Sequence, residues 1–134
     1  MGYQLPNFAK TQCYTITKDV DVADWLADKG EALAAADIYA AITIPAKCIR
    51  LAAGINPVTA ANADAATFDL GDGDDADSCV DGFDATQIVT DGVPIMTNIK
   101  YYPTSDTLDV TLATLTGTLS SGKVQVWAVL IDVT

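Results

Sequence analysis

Residues 123 to 133, which read KVQVWAVLIDV, are the stretch that decides the fold. Successive side chains of a β-strand point to opposite faces, and here both faces are apolar. A strand that is apolar on both faces is covered on both sides. In a small antiparallel sandwich the opposite sheet covers one face, so we expect the N-terminal helical segment or another subunit to cover the second. The first face carries Val124, Val126, Ala128 and Leu130, and the second carries Trp127, Val129, Ile131 and Val133.

Other segments with the same period of two precede this strand. They are separated by turn signals at intervals of roughly 8 to 12 residues, a spacing typical of a sandwich or jelly roll. The segment 49–55 is expected to bury Ile49, Leu51, Ala53 and Ile55 and to turn Arg50 outward. It is expected to end at Asn56-Pro57, before a loop or hairpin tip over 58–65. The predicted strands are 11–18, 38–44, 49–55, 66–70, 95–102 and 107–112.

The acidic residues also favour β-structure. Seventeen of the eighteen are Asp and only Glu31 is Glu, although helix surfaces favour Glu and Asp belongs in caps and turns. Trp25, Leu26 and Leu33 among several alanines nevertheless predict one short helical segment over 24–36, capped by Asp24 and interrupted by Gly30. We therefore predict an all-β protein, an antiparallel β-sandwich or jelly roll over residues 11–134, with this short N-terminal helical segment and an extended N-terminal arm at 1–10.

Charge and composition exclude several functions. A net charge of −11 repels nucleic-acid backbones, so no nucleic-acid partner is expected. The absence of histidine removes the usual general base and imidazole metal ligands, and no acid–base constellation is visible, so no enzyme is expected. No secretory signal and no apolar run long enough for a membrane helix is present, so no membrane partner is expected. The three widely spaced cysteines indicate free thiols in a protein that is made in a reducing cytoplasm.

The loop at 71–77, GDGDDAD, is the local pattern with the most chemical content. Asp72 and Asp74, with Asp75 or Asp77, would offer Ca²⁺ the hard oxygen ligands that it prefers. The alternative is a solvated turn whose aspartates accept hydrogen bonds from their own backbone. The loop lacks the ligand pattern of an EF-hand, so we expect the turn, no tight metal site and no cofactor, with Ca²⁺ left as the alternative.

Four segments occur in order along the chain: Ile44-Pro45-Ala46, residues 70–77, Val80-Asp81-Gly82-Phe83-Asp84, and 122–133. In their order and spacing they resemble small virion structural proteins of tailed bacteriophages, which are often capsid decoration or cement proteins. The resemblance implies a homotrimer with no catalytic residues, set on the outside of the major capsid protein lattice after synthesis in the host cytoplasm.

Two functions follow as hypotheses. The first is a phage capsid decoration protein, and the second is a calcium-dependent carbohydrate-binding or receptor-binding module of a fibre or tail. Trp25 and Trp127 are possible sugar-stacking platforms, although an aromatic ring in an apolar strand is more often core or interface. For the first hypothesis the arm at 1–10 and its neighbours face the capsid or an adjacent subunit, while the acidic loops between Asp64 and Asp91 face solvent. The predicted interface residues are Trp127, Val129, Ile131, Lys10 and Lys18.

Overall fold

The computed structural model describes residues 12–88 and 99–133, which form eight strands and one helix. This confirms the prediction of an all-β protein with one short helical segment. The predicted arm at 1–10 and most of the predicted strand at 95–102 lie outside the described residues. The elements are β1 (Gln12–Asp21), α1 (Val22–Lys29), β2 (Ile38–Ile44), β3 (Cys48–Thr59), β4 (Ala65–Gly71), β5 (Val80–Asp84), β6 (Lys100–Tyr102), β7 (Asp106–Thr116) and β8 (Lys123–Asp132).

The strands form two four-stranded sheets, which we call sheet A (order β1-β8-β3-β6) and sheet B (order β2-β7-β4-β5). Every pairing is antiparallel, and β1 pairs with β8, β2 with β7, β3 with β6 and β4 with β5. The chain is therefore one long hairpin, with the β4–β5 connection at its tip, rolled so that successive strand pairs alternate between the sheets. That arrangement is a jelly roll, as the sequence predicted.

The core lies between the sheets and follows from the period-two patterns. In β8 the residues Val124, Val126, Ala128 and Leu130 are buried, and in β7 Leu108, Val110 and Leu112 are buried. Phe68 and Leu70 of β4, which is the neighbour of β7 in sheet B, are buried in the same core. Burial of such aliphatic and aromatic side chains stabilises the folded chain by about 1.5–3 kcal/mol for each fully buried residue.

The predicted helix over 24–36 is wrong at both ends. The N-cap is Asp21, not Asp24, because the Asp21 carboxylate accepts a hydrogen bond from the Ala23 amide at 2.9 Å. Gly30 ends the helix instead of interrupting it: its φ of 76° is left-handed, and its amide donates to the Leu26 carbonyl at 3.0 Å. Residues 31–36 are not helical.

Strand β3 departs from the prediction in two ways. A β-bulge shifts the register between Arg50 and Ala52, so Arg50 points inward and is buried, whereas the sequence pattern turned it outward. For the same reason Ile49, which was expected in the core, lies on the outer side opposite Ile131. The strand also continues through Pro57, which lies opposite Val124. Among residues 12–88 and 99–133, β6 pairs only with residues 48–50 of β3, so no described strand lies on the second side of β3 at Pro57, and a strand side without a partner tolerates a missing amide donor. The expected loop therefore begins after Thr59.

Candidate functional site

The outer surface of sheet A, which we call the A face, is the leading candidate for a functional surface. Since alternate residues of β8 point into the core, Trp127, Val129 and Ile131 point outward, and each is half-buried. The strand ladder places them in three rows with residues of β1 and β3. The rows are Thr17–Trp127–Gly54, Thr15–Val129–Ala52 and Cys13–Ile131–Ile49, and Tyr101 of β6 lies beside Ile49.

Helix α1 does not cover the A face, which was one of the two possibilities that the sequence left open. Its buried residues, Val22 and Trp25, belong to the core, and the Trp25 ring lies 5.8 Å from that of Tyr39 and 6.0 Å from that of Phe68. These partners belong to β2 and β4 of sheet B. Within residues 12–88 and 99–133, no element fully covers Trp127, Val129 and Ile131.

The outer surface of sheet B, which we call the B face, has the opposite character. Thr107, Asp109 and Thr111 of β7 and Thr67 and Asp69 of β4 alternate with buried apolar residues. The hydroxyl of Thr107 donates to Asp109 at 2.7 Å, and the Asp69 carboxylate accepts from the Gly82 amide at 2.8 Å. Burial raises the pKa of Asp109, and the hydrogen bond from Thr107 opposes that shift. The two faces of the sandwich thus differ at their centres: the A face carries Trp127, Val129 and Ile131 on its central strand β8, whereas the B face carries Thr107, Asp109 and Thr111 on its central strand β7.

The predicted interface residues divide between locations. Trp127, Val129 and Ile131 lie together on the A face, as described above. Lys18 lies opposite Val126, whose side chain points inward, so Lys18 is on the other side of β1 from the A face. Lys10 is outside the described residues. Lys47 and Arg50 are close in the sequence but do not share a surface, because Lys47 is exposed and Arg50 is buried.

Asp72, the first residue proposed for calcium, is the centre of a buried polar cluster. Its Oδ2 accepts a hydrogen bond from the Tyr102 hydroxyl at 2.7 Å and one from Lys100 Nζ at 2.8 Å. Arg50 Nη1 lies 3.4 Å from the same oxygen and donates to the Tyr102 hydroxyl at 2.6 Å. The second carboxylate oxygen of Asp72, Oδ1, accepts hydrogen bonds from the backbone amides of Asp74 and Asp75 at 3.0 and 3.1 Å. Asp72 therefore joins the 71–77 loop to β3 and β6 across the end of the sandwich.

The electrostatics of this cluster favour an ionised Asp72. Burial alone would raise its pKa, but the hydrogen bonds from Lys100, Tyr102 and the two loop amides outweigh burial and lower the pKa from 3.8 to about 2. Burial, together with the hydrogen bond to Asp72, raises the pKa of Tyr102, which therefore stays protonated and donates. Two cationic side chains, Arg50 and Lys100, thus occupy the position beside Asp72 that a metal ion would need.

The other calcium candidates are also paired within the chain. Asp74 is exposed and pairs with Lys100 at 2.8 Å. Asp77 shares a hydrogen bond with Asp75, and that contact between two carboxyl groups raises the pKa of Asp77. In the part of the chain that the structure describes, no three acidic, histidine or cysteine side chains are grouped to hold a metal ion.

Sequence reasoning missed Arg50, Lys100 and Tyr102 as partners of the loop. The only available signals were an arginine within an apolar strand and the adjacent Lys100-Tyr101-Tyr102. Neither signal indicates that β3 and β6 are neighbours, which is why the cluster was not found.

A second surface feature is a cleft of about 440 Å³ between α1 and β2. Trp25 and Tyr39 line it together with Asp28, Lys29 and Asp37, but Trp25 is only 3% exposed, so its ring face is not free for a sugar to stack upon. The Lys29 ammonium is bonded to Asp37, and this hydrogen bond lowers the pKa of Asp37.

The single helix of the described residues is too short and too polar to cross a bilayer. No protein family and no curated protein matches the chain. Among solved structures, a chain of the cyanophage Pam1 capsid asymmetric unit is similar, with a TM-score of 0.65 and 17% sequence identity over 98% of this chain and 89% of that chain. At this identity the likeness concerns the fold, so the jelly-roll sandwich described above is one that a phage capsid chain also adopts.

Proposed function

We propose that the chain is a structural component of a phage capsid, and more narrowly a decoration or cement protein bound to the outside of the major capsid protein lattice, where it stabilises the head. The observation that carries the proposal is the fold shared with a phage capsid chain over nearly the full length of both chains. The role is non-enzymatic. The virion resemblance of the sequence points the same way independently of that comparison.

The unequal faces of the sandwich support a shell protein. A protein of a shell contacts protein on one side and water on the other, and exposed contiguous apolar surface marks contact sites. The apolar A face suits contact with protein. The acidic B face and the 71–77 loop suit the solvent side, where negative charge keeps particles apart.

The assembly and its attachment are further parts of the proposal. Copies associate as a homotrimer, a number that rests on the family resemblance. Residues 1–10 and the neighbouring Lys18 face the major capsid protein, because a polar arm gains order when it wraps a partner. Attachment through Lys10 and Lys18 would also bring positive charge to the contact side of a strongly acidic chain.

Cosedimentation with undecorated capsids tests the proposal. We expect the purified full chain to pellet with capsids that lack it and to raise the temperature at which those heads release their contents. Saturation at a fixed number of copies per capsid is the expected form of the binding. A full chain that stays in the supernatant with capsids of its own phage would overturn the decoration role.

The alternative is a calcium-dependent carbohydrate-binding or receptor-binding module of a fibre or tail, since jelly rolls also occur among lectin domains. Lys100 and Arg50 beside Asp72 count against a calcium ion at that carboxylate. A glycan array read with and without chelator separates the two functions. Glycan binding that the chelator removes would favour the alternative.

A further inference from the structure

The distribution of charge over the two faces carries an inference about what covers the A face. The chain has a net charge of −11, yet none of the nine positions in the three rows from Thr17–Trp127–Gly54 to Cys13–Ile131–Ile49 is ionisable apart from the Cys13 thiol. The B face carries Asp69 and Asp109 at equivalent central positions. Acidic residues are thus absent from the centre of the A face, and the nearest one along β1 is Asp19, opposite Gln125 at one end.

We infer that the A face is the surface through which copies of this chain contact one another. Two copies carry the same charge, so a contact between acidic surfaces would juxtapose like charges, which lowers the affinity by about a hundredfold or more. The acidic surfaces, in contrast, are the ones that would bind a basic partner best. An uncharged apolar face on an acidic protein is therefore the surface expected at a contact between like copies.

The rim of the A face fits the same role. At one end, Asp19 of β1 is paired with Lys123 of β8 at 3.3 Å, so the nearest charges neutralise each other. Toward the other edge, Tyr101 is half-exposed and offers an aromatic surface with a hydroxyl. An apolar centre with a polar rim is the usual anatomy of a protein contact.

The size of the A face is adequate for such a contact. Four strands about 4.8 Å apart and a strand the length of β8, at about 3.4 Å per residue, span a surface of roughly 500 Å² in projection. Protruding side chains bring its accessible area toward the ~800 Å² that each partner gives to a standard interface. This inference rests on the self-association part of the proposed function and is independent of the capsid role.

A matched pair of substitutions tests it. Val129→Asp places a carboxylate at the centre of the A face, and Thr111→Asp places one at the centre of the B face; both sites are half-buried positions in long central strands. By sedimentation velocity at micromolar concentration, we expect the unmodified chain and Thr111→Asp to be oligomeric. We expect Val129→Asp to have a dissociation constant raised at least about a hundredfold, because like charges then meet in a desolvated contact.

The native cysteines provide a second measurement that needs no substitution. Cys13 is exposed and lies on the A face, whereas Cys48 and Cys79 are buried. We expect the rate at which a maleimide modifies Cys13 to fall as protein concentration rises through the oligomerisation range. A monomeric full chain, a Cys13 rate independent of concentration, or equal effects of Val129→Asp and Thr111→Asp would each overturn the inference. An oligomer that depends on Val129 but does not bind capsids would keep the inference and overturn the capsid role.

Discussion

The indole ring of Trp127 lies across the backbone of Gly54, its partner on the neighbouring strand β3. A Cβ atom at Gly54 would be 2.7 Å from Trp127 Cζ2 and 2.9 Å from its Nε1, closer than real Cβ contacts. The glycine therefore provides the space that lets the ring lie down on the sheet. The indole ring of Trp127 therefore lies flat against the sheet and does not project from the A face.

Gly54→Ala is expected to lower the free energy of unfolding by about 1–3 kcal/mol, because the added methyl group must push the Trp127 ring away from the sheet. Denaturant unfolding measures this loss. The double variant Gly54→Ala with Trp127→Leu serves as the control, since a smaller side chain removes the clash, and we expect the two effects to be non-additive. Strict additivity would show that the ring does not depend on Gly54.

Arg50→Met is expected to lower the free energy of unfolding by about 3–5 kcal/mol, because Asp72 would lose one of its two cationic neighbours within a buried cluster. Lys47→Met is the matched control: Lys47 is also basic and lies three residues earlier, but it is exposed. We expect the control to change stability by less than about 0.5 kcal/mol. Equal losses in the two variants would contradict a structural role for the Arg50 contact.

The depressed pKa of Asp72 predicts a loss of stability in acid. With a folded pKa of about 2 against 3.8 unfolded, the ionised carboxylate contributes about 2 kcal/mol above pH 5, and this contribution is lost as pH falls through 3.8 toward 2. The raised pKa of Asp109 acts in the opposite direction, since its protonation favours the folded chain. Denaturant unfolding from pH 6 to pH 2.5 therefore needs Asp72→Asn as the reference. The free energy of unfolding of Asp72→Asn should be lower than that of the unmodified chain at pH 6 and should fall less steeply as the pH decreases. Parallel pH dependences in the two proteins would refute the lowered pKa of Asp72.

Calcium is expected to shift the melting temperature little, because the Asp72 carboxylate already accepts hydrogen bonds from Lys100, Tyr102 and two loop amides. Weak binding gives little stabilisation by mass action. Thermal unfolding with submillimolar calcium and with chelator measures the effect. A large stabilisation that Asp74→Ala abolishes would contradict the prediction and support the carbohydrate-binding alternative.

Deletion of residues 1–10 is expected to leave the sandwich folded, because the eight strands that the structure describes lie within residues 12–132 and pair with one another. The proposed capsid contact should weaken, which cosedimentation with undecorated capsids measures, while circular dichroism checks the fold. Lys18→Ala, in the full chain, tests the neighbouring basic residue separately. If the truncated chain binds capsids as tightly as the full chain, the arm is not the anchor.

The sequence alone determined the strands whose side chains alternate without irregularity. In β8 and β7 the period of two specifies which residues are buried, since each side chain must point to one face or the other. It also determined that the 71–77 segment is a loop, because clustered glycine and aspartate favour turns. The two apolar faces of β8 also predicted that the second face has a cover other than the opposite sheet, before any partner strand was known.

Only the tertiary structure decided the features that depend on which strands are neighbours. The bulge after Arg50 reverses the direction of that side chain, and a one-residue shift leaves no mark in the apolar pattern. Asp72 meets Lys100 and Arg50 because rolling the hairpin brings β3, β6 and the loop to one end, over separations of up to 28 residues. Likewise, Trp127 meets Gly54 only through the β3–β8 register. Local pattern specifies the face on which a side chain lies, but long-range pairing chooses its neighbours, and those neighbours decide whether an aspartate binds a cation from solvent or a cation of its own chain.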